Sequence, residues 1–256
     1  MIEVTILAIL QGVAEFLPVS SSGHLVIAQH FLGVARTGIR LDVFLHVGTL
    51  ISIAVFYRRT FVAVAKGRDW KYAAKIAVSA LPATVLYFCA SGFVESMFGN
   101  VRMVGALLMF TGAILIGTKF MPRGAGEVGF ARALAMGLAQ ALALLPGVSR
   151  SGMTIAAARA VGVEPARSAE FSFLMSAPLI AGAAALEIIR AIGSEGGFFA
   201  PVEVSWALTF YGAALSAAVG YFSLKLLMMT LKGRGFWMFG PYCIAVGLLT
   251  LLFCGG

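Results

Sequence analysis

The chain has 256 residues, of which 60% are apolar and only 12% charged, with a formal net charge of +8. A soluble domain is typically about 25% charged, and a water-soluble globule has no interior able to hide this much apolar side chain. The composition argues against a soluble enzyme and a disordered chain. It also argues against a nucleic-acid binder, because the Lys and Arg residues fall mostly in short stretches between apolar runs, a membrane topology pattern.

In chain order, the first feature is a pair of short apolar segments, Thr5–Leu17 and Leu25–Leu32, separated by Pro18-Val-Ser-Ser-Ser-Gly-His24. There is no basic leader or small-residue cleavage site, so no removable signal peptide is expected. Val43–Tyr57 follows, interrupted only by His46, then a basic stretch from Arg58 to Lys75. Charge-free runs come next at Ile76–Val94 and Met103–Thr118, joined by the short connection Glu95–Arg102. A second basic stretch carries Lys119, Arg123 and Arg132. A second pair of short apolar segments, Ala133–Leu145 and Met153–Val163, is separated by Pro146-Gly-Val-Ser-Arg-Ser-Gly152. Three further runs, Phe171–Leu186, Val204–Leu224 and Gly235–Gly256, complete the chain, with Glu195 and Glu203 between the first two and Lys232 and Arg234 between the last two.

The six long runs extend to about the 20 residues that cross a hydrocarbon core. Strand-like alternation is absent, which leaves helices as the way to satisfy backbone groups in lipid. Broken helices with polar backbone at membrane depth are tolerated beside protein or a water-filled cavity, so both short pairs are read as re-entrant hairpins. The predicted fold is an all-α polytopic membrane protein, one domain over 1–256, with six spanning helices and two re-entrant hairpins. The basic stretches should face the cytoplasm. Glu95–Arg102, Ile192–Glu203 and both chain ends then fall outside. Cys89, Cys243 and Cys254 lie in apolar runs with neither disulfide nor metal spacing.

Displacing the sequence by 129 residues lays Gln11 on Gln140, Ala14 on Ala143, Val19-Ser20 on Val148-Ser149 and Ser22-Gly23 on Ser151-Gly152. Phe44-Leu45 also falls on Phe173-Leu174. Each half then holds one hairpin and three spans, approximately 1–118 and 130–247. Three is odd, so the second half runs through the membrane upside down. Inverted repeats of this kind hold a site near the midplane where broken helices meet.

The two interrupted loops concentrate polar chemistry. Gln11 and Glu15 share a helix face, and Pro18 ends that helix. Ser20, Ser21, Ser22, Gly23 and His24 open the next. Helix N-termini receive phosphate, and Gly23 and Gly152 let a bulky anion approach the backbone. Arg150, between Ser149 and Ser151, suits bidentate phosphate contact. A carboxyl and a guanidinium at membrane depth default to function. Each serine taken singly reads as a helix cap. Glu15 with Arg150 also reads as a structural ion pair. His30 and His46 read as structural, and Asp42 as a cap.

At these residues the chain resembles the undecaprenyl-diphosphatases, the bacitracin-resistance type of bacterial membrane phosphatase. Gln11-Gly-Val-Ala-Glu15-Phe-Leu-Pro-Val-Ser-Ser-Ser-Gly-His24 and Pro146-Gly-Val-Ser-Arg150-Ser-Gly152 are similar to its two signature motifs, and Ala169-Glu-Phe-Ser-Phe-Leu174 to a third stretch. The resemblance implies hydrolysis of undecaprenyl diphosphate to the monophosphate in the bacterial cytoplasmic (inner) membrane, recycling the lipid carrier of cell-wall synthesis. The site would open to the outer face. By motif position, Glu15, Ser21, His24 and Arg150 fall on catalytic positions. Gln11, Ser20, Ser22 and Ser149 fall on positions lining the site, with Gly23, Ser151 and Gly152 beside them. Ser21, His24 or an activated water is the nucleophile; Ser21 is preferred, with His24, oriented by Glu15, as general base or acid in a hydroxyl–imidazole–carboxylate relay.

Many members carry Glu at the position of Gln11, so here one carboxylate, Glu15, remains for a metal. The resemblance implies a divalent cation, Mg²⁺ or Ca²⁺, bound largely through the diphosphate itself. The expected partners are a polyprenyl diphosphate and the bilayer, with a homodimer left open. Three rival readings bear on the same residues. An inverted repeat also suits a transporter or flippase. Ser22-Gly23-His24 and Ser149-Arg150 imitate parts of the other large family of membrane lipid phosphatases, but the position of its nucleophilic histidine is Ala156 here. A non-catalytic scaffold leaves the two polar loops unexplained.

Overall fold

The computed structural model describes residues 1–32, 39–192 and 204–254, and all named elements are helical. They are α1 (Ile2–Ala14), α2 (Ser21–Leu32), α3 (Ile39–Phe56), α4 (Arg58–Ala65), α5 (Trp70–Phe98) and α6 (Val101–Gly117). The second half holds α7 (Phe130–Leu142), α8 (Arg150–Ala160), α9 (Pro165–Ile192), α10 (Trp206–Lys232) and α11 (Phe239–Phe253). No strand occurs among the described residues beyond an isolated bridge between Gly126 and Val163. The expected outer loop with Glu195 and Glu203 lies outside the described residues, as do the last two residues of the final apolar run.

Among the described residues, five helices are long and apolar enough to cross a membrane, and a sixth if α3 and α4, bent by 96° at Tyr57, count as one. α1 and α7 have 13 residues each. At 1.5 Å per residue each reaches about 20 Å, short of the roughly 30 Å hydrocarbon core. The chain is therefore a multi-pass membrane protein. Some elements exceed the charge-free runs. α5 takes in Lys71, Lys75 and Glu95, which shrinks the connection to α6 to Gly99 and Asn100. α10 continues through Lys225, whose ammonium lies 4.9 Å from the Tyr221 ring centroid. Long basic side chains keep an apolar stem along a helix while the head moves outward, so a charge does not end the helix.

Local capping explains several starts. Asn100 accepts a hydrogen bond from the Met103 amide at 3.0 Å, and Asp69 from that of Tyr72 at 3.0 Å. Pro82 and Pro178 sit inside α5 and α9, as membrane helices allow where neighbours and local adjustment satisfy the freed backbone groups.

Small residues let helices approach closely. α6 and α11 cross at two glycine pairs. A Cβ on Gly105 would stand 2.9 Å from the Gly247 carbonyl oxygen, and one on Gly112 would stand 2.7 Å from that of Gly240. The numbers rise on one helix and fall on the other, so the pair is antiparallel. α3 and α10 run parallel. Arg40 lies 4.4 Å from the Trp206 ring at their starts, and Ser52 donates to the Ala217 carbonyl at 2.7 Å farther along. α1 packs on α10 and α5 on α7. The largest buried cluster joins Phe16, Ile53, Phe173, Leu224, Leu227 and Phe236. Phe16 and Phe173 meet edge to face at 5.4 Å, just beneath the two interrupted loops.

Candidate active site

The loops between α1 and α2 and between α7 and α8 meet one another inside the bundle. Ser20 holds φ at +69°, a left-handed conformation uncommon for a residue with a Cβ and frequent where a site needs a particular turn. Its hydroxyl accepts the Gly23 amide at 3.3 Å, and Ser149 caps α8 by accepting the Gly152 amide at 3.1 Å. Thr111 of α6 fastens the second loop: its hydroxyl donates to the Gly147 carbonyl at 3.0 Å and accepts the Ser149 amide at 3.1 Å. Cys243 of α11 reaches the Pro18 carbonyl of the first loop at 3.6 Å. Ser151 donates to the Leu17 carbonyl at 3.2 Å.

At this junction the Glu15 carboxylate is 7% exposed. Its Oε1 pairs with the Arg150 guanidinium. Its Oε2 accepts the Ser21 hydroxyl at 2.7 Å and the Gln11 amide at 3.1 Å. The second Arg150 nitrogen, Nη1, is buried with no partner, and so is Gln11 Oε1. A buried ion pair is weak evidence for stability, because removing both charges from water offsets most of their attraction. Unused hydrogen-bonding capacity on both flanks makes this pair a site open to a further ligand.

The loops open on a cavity of about 880 Å³, within the range of small-molecule sites. Glu15, Ser20, Ser21, Ser22, Ser149, Arg150 and Ser151 all line it. Four other predicted residues do not. Gln11 is buried behind Glu15. Gly23 and Gly152 face the opposite loop: a Cβ on Gly23 would stand 3.0 Å from Gly147 Cα, and one on Gly152 would stand 3.4 Å from Pro18 Cβ. The close approach these glycines permit is thus between the two loops, where an approaching anion was expected.

His24 is the fourth. Its Nδ1 lies 2.9 Å from the Ser20 carbonyl oxygen and its Nε2 lies 2.9 Å from the Tyr242 hydroxyl, with the two rings stacked at 5.6 Å. A carbonyl only accepts, so Nδ1 carries the hydrogen, and Nε2 of the neutral ring accepts from Tyr242. The sequence suggested a hydroxyl–imidazole–carboxylate relay. Instead the carboxylate holds the hydroxyl directly, and the imidazole braces the turn from behind.

His30, His46 and Asp42, which the sequence reads as structural, also line the cavity, as do Gln140, Ser176, Glu95 and Glu187, to which it assigns no role at the site. His46 carried a usable signal, because it is the one His, Asp, Glu, Lys or Arg within the six long apolar runs. Gln140 is the displaced counterpart of Gln11. It is buried, with neither amide atom partnered. No group of three or more His, Cys, Asp or Glu able to hold a metal occurs among the described residues.

Comparison with known proteins gives one consistent result. A family model described as bacitracin resistance protein BacA matches residues 4–249. An undecaprenyl-diphosphatase of Desulforapulum autotrophicum is 35% identical, with 96% of each chain covered. One of Desulfosudis oleivorans is 37% identical, covering 98% of this chain and 97% of its own. One of Halothermothrix orenii is 34% identical, covering 99% and 98%.

Proposed function

The chain belongs to the bacitracin resistance protein BacA family, and from that membership we propose that it hydrolyses undecaprenyl diphosphate to undecaprenyl phosphate and inorganic phosphate. The observation that carries the reading is the Glu15 carboxylate holding both the Ser21 hydroxyl and the Arg150 guanidinium on one cavity wall. Phosphoryl transfer needs chiefly positioning and charge stabilisation, and this trio supplies both.

The terminal phosphate enters beside Arg150, whose unpartnered Nη1 binds a phosphate oxygen first. The guanidinium then exchanges Glu15 for the phosphate, as its fork favours. The released carboxylate takes the Ser21 proton as Ser21 Oγ bonds to phosphorus and the bond to the bridging oxygen breaks. Water hydrolyses the phosphoserine, and Glu15 returns the proton to Ser21. His24 acts through the Ser20 carbonyl and holds Ser21 in position. Gln11 is buried behind Glu15 and off the cavity wall, so Glu15 is the residue that would hold a Mg²⁺ or Ca²⁺ there, with the diphosphate and water providing its remaining ligands. Such a cation supplies neutralisation of the diphosphate charge.

The cavity lining includes Glu95 and Phe98, at the end of α5 remote from the basic Arg58–Lys75 stretch, and Val101 at the start of α6. With that stretch cytoplasmic, the cavity opens outward and both termini lie outside, in the bacterial inner membrane. An inverted repeat within one domain is supported by matched contacts. The Gly23–Gly147 and Gly152–Pro18 approaches exchange under the 129-residue displacement. Thr111 and Cys243 fasten corresponding loop carbonyls from corresponding helices. α6 and α11 are themselves counterparts. Their antiparallel packing is consistent with a twofold axis perpendicular to both, in the membrane plane. On this reading the bent pair α3–α4 counts as one span, giving six spans, and the two hairpins do not cross.

The test is phosphate release from undecaprenyl diphosphate by purified protein in detergent, with and without chelator. Release that stops in Ser21→Ala and Arg150→Lys, and falls with chelator, is the expected result. A wild-type protein releasing none overturns the reading.

A further inference from the structure

His24 is committed to Tyr242 and lies off the cavity wall, yet the wall is not without an imidazole. His30 of α2 and His46 of α3 both line it, and of the two it is His46 that interacts electrostatically with the Glu15 carboxylate. The His46 Nδ1 lies 2.8 Å from the Asp42 carbonyl oxygen, so Nδ1 carries the hydrogen and Nε2 of the neutral ring keeps its lone pair. Nε2 has no hydrogen-bond partner among the described residues. This is the arrangement of a base whose tautomer is set from behind and whose other nitrogen is unpartnered on a residue that lines the substrate space. An ionisable group in a spanning helix that turns to a polar cavity is costly to keep for packing alone. Glu15, in contrast, is occupied by three partners before substrate arrives, and in the reading above it is protonated once Ser21 has attacked.

Resting on that reading, we propose that His46 is the general base for the hydrolytic water. As the water oxygen bonds to the phosphorus of the phosphoserine, one water proton passes to His46 Nε2. The bond from phosphorus to Ser21 Oγ breaks, and Oγ takes the proton that Glu15 held. Inorganic phosphate departs, and the imidazolium gives its proton to cavity water. Glu15 and His46, on different helices, thus serve different halves of the cycle.

The experiment compares wild type, His46→Ala, His46→Gln and Arg150→Ala, purified in dodecyl maltoside, for phosphate release from undecaprenyl diphosphate with and without free imidazole. Loss of a general base lowers kcat by about 10²–10⁴-fold, and His46→Ala and His46→Gln should both show it with KM little changed. Imidazole entering the vacated space should restore turnover to His46→Ala in a saturable way. It should do nothing for Arg150→Ala, because a missing phosphate ligand is not a missing base. His46→Gln keeps an amide able to donate to the Asp42 carbonyl and carries the kcat test if His46→Ala does not fold. Turnover near the wild-type rate in either His46 variant overturns the proposal. So does a slow, folded His46→Ala that ignores imidazole. If wild type itself releases no phosphate, the diphosphatase reading falls, and this proposal with it. If wild type is active and His46→Ala equally so, only this proposal falls.

Discussion

Removing Arg150 strands a buried carboxylate, and the structure sets the size of the effect. Glu15 is 7% exposed and the Arg150 side chain 15%. Breaking a buried ion pair from one side costs about 3–5 kcal/mol because the remaining charge is left uncompensated. Here Ser21 and Gln11 still donate to Oε2, so Arg150→Ala should fall near the lower end, about 3 kcal/mol. Neutralising the other side restores most of it. Glu15→Gln with Arg150→Met leaves no charge in the junction and should melt close to wild type, since replacing a buried pair by neutral groups of similar volume is often tolerated. The assay is a double-mutant cycle by thermal melting in detergent, confirmed by reversible unfolding in mixed micelles. Strong non-additivity is required. An Arg150→Ala protein as stable as wild type, or a double variant that sums the two single losses, would refute the account of the junction.

Two other outcomes follow from particular contacts. Tyr242→Phe removes the hydroxyl that Nε2 of His24 meets at 2.9 Å and should lower stability by about 1 kcal/mol. In a phosphate-release assay its kcat should fall far less than that of Ser21→Ala, because His24 acts at one remove from the reacting atoms. Gly112→Leu places a Cβ 2.6 Å from the Ile244 side chain and 2.7 Å from the Gly240 carbonyl. It should drive α6 and α11 apart and abolish a monodisperse peak in size-exclusion chromatography.

Much of this was legible in the sequence because it is local. Six apolar runs announce their helices through hydropathy alone. Glu15, Ser21 and Arg150 lie in two loops whose proline, glycine and serine content interrupts otherwise apolar helices, and all three reach one cavity wall. What was not legible depends on contacts between distant parts of the chain. His24 lies beside Ser20–Ser22 in sequence and so reads as a partner for their hydroxyls. Its ring is instead captured by Tyr242, and no spacing within the motif foretells that. His46 stands alone in an apolar run, and only the packing of α3 shows that its face of the helix meets water. Gly23 and Gly152 were read as room for a ligand, but each is room for the facing loop. A glycine announces that something comes near without saying what.

The seam between the two loops has a consequence for traffic. With Gly23 against Gly147 and Gly152 against Pro18, the two loops close on one another. On the proposed outward orientation, that contact stands between the cavity and the cytoplasmic side, so a freed phosphate ion would depart through the mouth by which the headgroup arrived and the shortened lipid would remain in the leaflet that delivered it. The carrier's journey back across the bilayer then requires either that this seam part, sliding glycine past glycine, or that another protein make the crossing.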